Sequence, residues 1–122
     1  MLIIDDVEFD VPISSLERSA DFLDSFATRT ENGDLKRKLI GVYFNYQLEF
    51  GYIADKDVYS ALWKKLTEPK EFHTVTIYDQ DGSYTFTAYF SSISDKMIRK
   101  EGDRNIFTGL KVHFVAKLPA RK

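Results

Sequence analysis

The stretch Leu39-Ile40-Gly41-Val42-Tyr43-Phe44-Asn45-Tyr46-Gln47-Leu48-Glu49-Phe50-Gly51-Tyr52 alternates with a period of two. Ile40, Val42, Phe44, Tyr46, Leu48, Phe50 and Tyr52 share one parity; Leu39, Gly41, Tyr43, Asn45, Gln47 and Glu49 share the other. Successive strand side chains point to opposite faces, so the pattern predicts a long half-buried strand across 35–52. Lys36, Arg37 and Lys38 put its first residues beyond the core, in a projecting arm. Both parities carry bulk, with Leu39 and Tyr43 opposite Ile40 and Phe44. A strand apolar on both faces must be covered twice, from within the chain or by a neighbouring subunit.

Downstream the period changes. Val58, Ala61, Leu62 and Leu66 stack at helical spacing, with Tyr59 and Trp63 widening the stripe, so 57–67 is expected to be an amphipathic helix. Asp55 or Asp57 suits its start, Lys64 and Lys65 its C-terminal dipole, and Pro69 its end. Two runs rich in Thr, Val, Ile, Tyr and Phe, 72–79 and 84–90, flank Gln80-Asp81-Gly82 and read as a hairpin. A shorter arm, 95–100, leads to a last strand at 106–117, again bulky on both parities through Phe107 and Val115.

Upstream, Leu2 to Ile4 and Val7 to Val11 read as strand, turn and strand. Residues 14–28 carry two signals. Ser14-x-x-Glu17 is a capping-box pattern followed by Leu16, Ala20 and Leu23 at helical spacing. Leu16, Arg18, Ala20 and Phe22 also alternate, and a strand there would pair with 35–44 across the Asn32-Gly33 turn. Propensity alone favours the helix by a small margin. No repeat, low-complexity run or internal linker interrupts residues 1–122, which are read as a single domain.

The 122 residues are 43% hydrophobic and 15% aromatic, which excludes a disordered chain. The absence of cysteine excludes a disulfide scaffold, a zinc finger and a thiol nucleophile together. The apolar runs are short and the start is acidic, so neither a membrane span nor a signal peptide is expected. The net charge of −2 hides an asymmetry: residues 1–34 hold nine acids and two bases, and the rest is net basic. Such a chain can meet copies of itself head to tail.

A search for chemistry returns no catalytic constellation. His73 and His113 could meet across a sheet, but no further ligand lies at metal-binding spacing. Asp79-x-Asp81-Gly82 begins like a calcium loop, yet position twelve of that loop would be Phe90. No Gly-x-Ser-x-Gly and no phosphate-cradling glycine loop is present. Asp5 and Asp6 sit in a polar turn that would not raise a carboxyl for acid catalysis. Neither an enzyme nor a cofactor, bound metal or small-molecule substrate is expected. Strand aromatics leave a single-stranded nucleic-acid-binding barrel as the alternative.

An ordered series of short matches carries a resemblance. Ser15-Leu-Glu-Arg-Ser-Ala-Asp21, Arg29-Thr-x-Asn-Gly33, Lys38-Leu-Ile-Gly-Val-Tyr43 and Leu48-Glu-Phe50 come first. Trp63 and Leu66, Phe72-His-Thr-Val75, Asp81-Gly82, Thr85-Phe-Thr-Ala-Tyr-Phe90, Gly109-Leu-Lys-Val-x-Phe114 and Pro119 follow. The series resembles small tail proteins of bacterial prophages. That resemblance implies a tail-tube, distal-tail or baseplate-like subunit, formed in the host cytoplasm and built into the virion tail. It implies rings, hexameric ones among them, and contacts with adjoining tail proteins. In that frame 15–24 is a strand and 28–38 a projecting loop. The expected fold is therefore β-dominated α+β, a β-sandwich or split barrel of six to eight mostly antiparallel strands with one packed helix. Its expected interface residues are Arg29, Glu31, Lys36, Arg37, Lys38 and Tyr43.

Overall fold

Seven strands form one antiparallel sheet in the computed structural model, which describes residues 2–122. In chain order they are β1 (Leu2–Ile4), β2 (Val7–Phe9), β3 (Ile13–Arg29), β4 (Leu35–Phe50), β5 (His73–Asp79), β6 (Gly82–Glu101) and β7 (Arg104–Ala116). The single helix α1 (Lys56–Leu66) lies between β4 and β5 in sequence. Across the sheet the order is β2-β1-β5-β6-β7-β4-β3. This is the expected β-dominated α+β fold, and its strand count lies within the expected range.

The sheet curls back on itself. The Tyr46 hydroxyl donates to Asp79 Oδ2 at 3.2 Å, although β4 and β5 stand three places apart. A flat sheet would hold them about 14 Å apart. Tyr46 also packs on Phe86 and Tyr84 of β6, with ring centroids 5.3 and 6.2 Å away. The curvature comes from irregularities in β6, whose register to β7 shifts between Phe90 and Ser92, Ser94 and Lys96, and Met97 and Arg99. Gly109 adds a left-handed residue, φ +70°, on the partner strand. Each bulge bends its strand and increases the local twist. They also carry 95–100 onward without a break, so the separate short arm expected there is the second half of one long strand. The curled sheet stays open, with β2 and β3 as its two edges.

Leu48, Val75, Ile77, Leu110, Val112 and Phe114 fill the concave side together with Leu2 and Ile4. Leu62 and Leu66 of α1 are buried in the same cluster, and Val58, Tyr59 and Trp63 pack at its margin. Asp55 caps the helix by accepting from the N–H groups of Asp57 and Val58 at 2.9 and 3.3 Å. The Thr67 N–H and hydroxyl both donate to the Trp63 carbonyl at the other end. The Tyr59 hydroxyl fixes the helix to β6 by donating to Asp95 Oδ2 at 2.6 Å.

Residues 15–24 lie within β3, so the extended alternative holds over the helical one. β3 pairs with β4 from Ile13↔Phe50 to Arg29↔Leu35, whereas β7 pairs with β4 only from Tyr46↔Phe114 to Glu49↔Lys111. Beyond Tyr46 the two-stranded ribbon leaves the body. The alternation of Ile40 and Val42 suggested core, yet Ile40 is 45% exposed because no third strand reaches it.

Candidate interface: the projecting hairpin

The root of the ribbon is set by Asn45. Its Oδ1 accepts from the Ala116 N–H at 2.8 Å and its amide donates to Asp21 Oδ2 on β3. The side chain thus fills the place of a ladder bond where β7 ends. The chain then detours through Pro119 and returns to β4: the Val42 N–H donates to the Arg121 carbonyl at 2.8 Å, and the Ala120 N–H to the Val42 carbonyl at 2.9 Å. Gly41 is required at this crossing, since a Cβ there would lie 2.6 Å from Pro119 Cβ and 2.9 Å from the Arg121 carbonyl.

Outward from this root every residue from Glu31 to Ile40 is exposed, and so is nearly all of β3. Phe22, Leu23, Phe26, Leu35, Leu39 and Ile40 all lie on this ribbon with 42–61% of their surface open. Two bulges, between Leu23 and Asp24 and between Asp24 and Phe26, shift the phase of β3. The apolar residues therefore keep strict period two only up to Phe22, which is why propensity misread the segment. An isolated two-stranded ribbon is marginal in water, and this one exposes large apolar side chains along much of its length.

The six expected interface residues all fall on this hairpin. Tyr43 is half-buried at its root opposite Asp21. Lys36 and Lys38 stand opposite Thr28 and Phe26, and neither forms an ion pair among the described residues. Arg37 is engaged within the hairpin: its guanidinium lies 2.9 Å from Asp24 Oδ1 and stacks over Phe22 at 5.6 Å. Arg29 donates to the Gly33 carbonyl at 2.8 Å and closes the tip, where Glu31 is exposed. The Thr30 N–H donates to the Asp34 carbonyl, and Gly33 takes φ +85°.

The protein exposes 8113 Å². A compact monomer of 14.2 kDa exposes about 6,800 Å², an excess of about 1,300 Å² for this chain. That excess exceeds the ~800 Å² each partner commonly contributes to a stable interface.

A second cluster of polar groups lies on the body. Asp5 and Asp6 take φ +50° and +69° in the two-residue turn between β1 and β2, which points Asp5 at β5. Its Oδ2 lies 2.6 Å from Nδ1 of the buried His73, and its Oδ1 accepts from the Thr74 N–H at 2.9 Å. Burial alone would raise the Asp5 carboxyl; the Thr74 N–H, His73 and Lys70 outweigh it and hold it well below the usual carboxylate range. Asp5, Glu68 and His73 bring ligand atoms within 4.8 Å of one another, a proximity the sequence spacing concealed. The ammonium groups of Lys70 and Lys65 lie 3.3 and 3.4 Å from the same Asp5 oxygen. They already supply the positive charge that a cation would bring, so the cluster acts as a clamp tying the β1–β2 turn to β5 and the helix end. His73 stacks on Phe90 at 4.5 Å. His113 meets Ser91 instead, and β6 separates the two histidines.

No helix among the described residues is long and apolar enough to cross a membrane. The chain matches no protein-family model, no curated protein and no solved structure.

Proposed function

We propose that this chain is a structural, non-enzymatic subunit of a phage or prophage tail, acting through contacts with copies of itself and with adjoining tail proteins. The observation that carries the reading is the projecting β3–β4 hairpin. It exposes six large apolar side chains on a ribbon that no other element among the described residues covers. The ordered resemblance to prophage tail proteins supplies the setting, a subunit formed in the host cytoplasm and then housed in the virion tail. The excess of exposed surface is of the size an assembly interface buries.

The test is the state of the purified chain as its concentration rises, by light scattering and electron microscopy, with and without the hairpin. Rings or short tubes that need residues 22–40 are expected. A monomer at every concentration that shifts single-stranded DNA or RNA in a salt-dependent way would favour the nucleic-acid-binding barrel instead.

A further inference from the structure

We propose that the hairpin of one copy seats an aromatic side chain, Phe26 or its neighbour Phe22, in the cleft between α1 and the β6–β7 tip of the next copy. The inference rests on the self-assembly reading above and adds the acceptor surface to it.

The register shows that the two hairpins point in opposite directions. Tyr46 stands opposite Phe114, and β4 runs antiparallel to β7. From that pair the β3–β4 hairpin extends eleven residues to Leu35, past the C-terminal end of β7. The β6–β7 tip extends ten residues the other way to Arg104. At ~3.4 Å per residue each reaches roughly 35 Å from the common centre. A knob at one end and a socket at the other suit a head-to-tail contact, which closes into rings or runs on as filaments; an antiparallel two-fold pair exchanging both contacts would stop at a dimer.

The far end offers a socket. A cleft of about 500 Å³ lies there, with Ile53, Tyr59, Trp63 and Phe107 among its walls and Ser60 at its mouth. Pockets of ~300–1,000 Å³ seat groups of ligand size, and aromatic anchors in such pockets dominate interface energies. Two groups hold the walls in place: Tyr59 is bonded to Asp95, and Arg104 donates to the Ala54 carbonyl. Phe107, Met97 and Ile98 beside it are 39%, 53% and 45% exposed, so the apolar surface continues past the cleft. The charges near it (Lys56, Asp95, Asp103 and Arg104) balance, which suits an uncharged knob. Phe26, 51% exposed, and Phe22, 61%, are the exposed aromatic side chains of the opposite hairpin.

The chain has no cysteine, so introduced thiols report contacts without background. A Thr28→Cys chain, which keeps Phe26 and carries the thiol two residues along the exposed strand, and a Ser60→Cys chain, each pure, are expected to give little dimer with a short bis-maleimide. Their mixture is expected to give a covalent heterodimer as the main product, and a chain carrying both substitutions a ladder. Trp63 is the sole tryptophan and lines the cleft, so its emission is expected to shift as unmodified subunits associate. Three results would overturn the proposal. Dimer from the Thr28→Cys chain alone as readily as from the mixture would mean arm meets arm. No heterodimer while the unmodified chain forms oligomers would leave self-assembly standing and place the hairpin elsewhere. No crosslink from a chain that stays monomeric would end the self-assembly reading and this inference with it.

Discussion

The Arg18 guanidinium lies 2.8 Å from the Asp79 carboxylate, although β3 and β5 stand four places apart in the sheet. Asp79 also accepts from the Tyr46 hydroxyl, and that second partner matters more. Arg18 is 45% exposed at its side chain, where an ion pair contributes about 0–1 kcal/mol. Tyr46 is 1% exposed, and a buried hydroxyl left without an acceptor costs about 1–3 kcal/mol. Asp79→Ala should therefore lower the urea midpoint clearly more than Arg18→Ala. Equal effects would mean that the ion pair, and not the tyrosine, closes the curl.

Asp5 sets an acid limit on the fold. Its carboxyl is depressed in the folded state, so the stability it contributes is complete above the unfolded value near ~3.9. That contribution is lost as pH falls from there through the lower folded value. Asp5→Asn should destabilise the protein by about 1–3 kcal/mol at neutral pH, since it weakens the contacts to His73, Lys65 and Lys70. The variant and parent curves should converge on acidification below pH ~4. Thermal unfolding from pH 7 down to pH 2 measures both effects, and parallel curves would contradict the assignment.

Gly41→Ala tests the crossing at the root of the hairpin. The added methyl meets a proline ring and a backbone carbonyl, neither of which is the free end of a flexible side chain. Overpacking of this kind costs about 1–3 kcal/mol. Amide exchange should quicken at Val42 and Ala120, whose N–H groups bond across the crossing, while Val75 and Ile77 in the body keep their protection until global unfolding. Unchanged exchange at Val42 would show that residues 119–121 can move aside freely.

Replacing residues 29–37 with a short Gly-Ser turn removes the hairpin tip without touching the buried cluster. Closure entropy changes slowly with loop length, so the melting temperature should barely move. Self-association should weaken strongly. A large fall in melting temperature would place the tip inside the cooperative unit.

The body of the fold was legible where one residue's neighbours in sequence settle its environment. Tyr46, Leu48 and Phe50 alternate with polar residues and are buried as that pattern requires. Val58, Leu62 and Leu66 keep helical spacing behind a capping aspartate and form the helix within a residue of the expected bounds. Alternation records the pleat of a strand but not whether another layer lies over it. Ile40 and Val42 therefore looked like core, although β7 parts from β4 at Tyr46. The run at 95–100 was expected as a separate arm, whereas β6 continues into it through its bulges. The Asp5–His73 pair bridges 68 residues of sequence, and no local pattern could have announced it. The six expected interface residues fall on one hairpin, while Phe22 entered only as part of an alternation and Phe26 not at all, because the β3 bulges break the phase between them.

The pairing of Val42 with Arg121 has a consequence in time. Hairpins of local sequence form in microseconds, whereas synthesis adds ~5–20 residues per second. The β3–β4 ribbon can zip as soon as residue 50 is free, seconds before Arg121 exists to bond at its root. Its direction relative to the sheet is therefore fixed last, after strands β5 to β7 have been made. A nascent chain carries a formed but unaimed arm, and only one made through Arg121 holds it in a fixed direction.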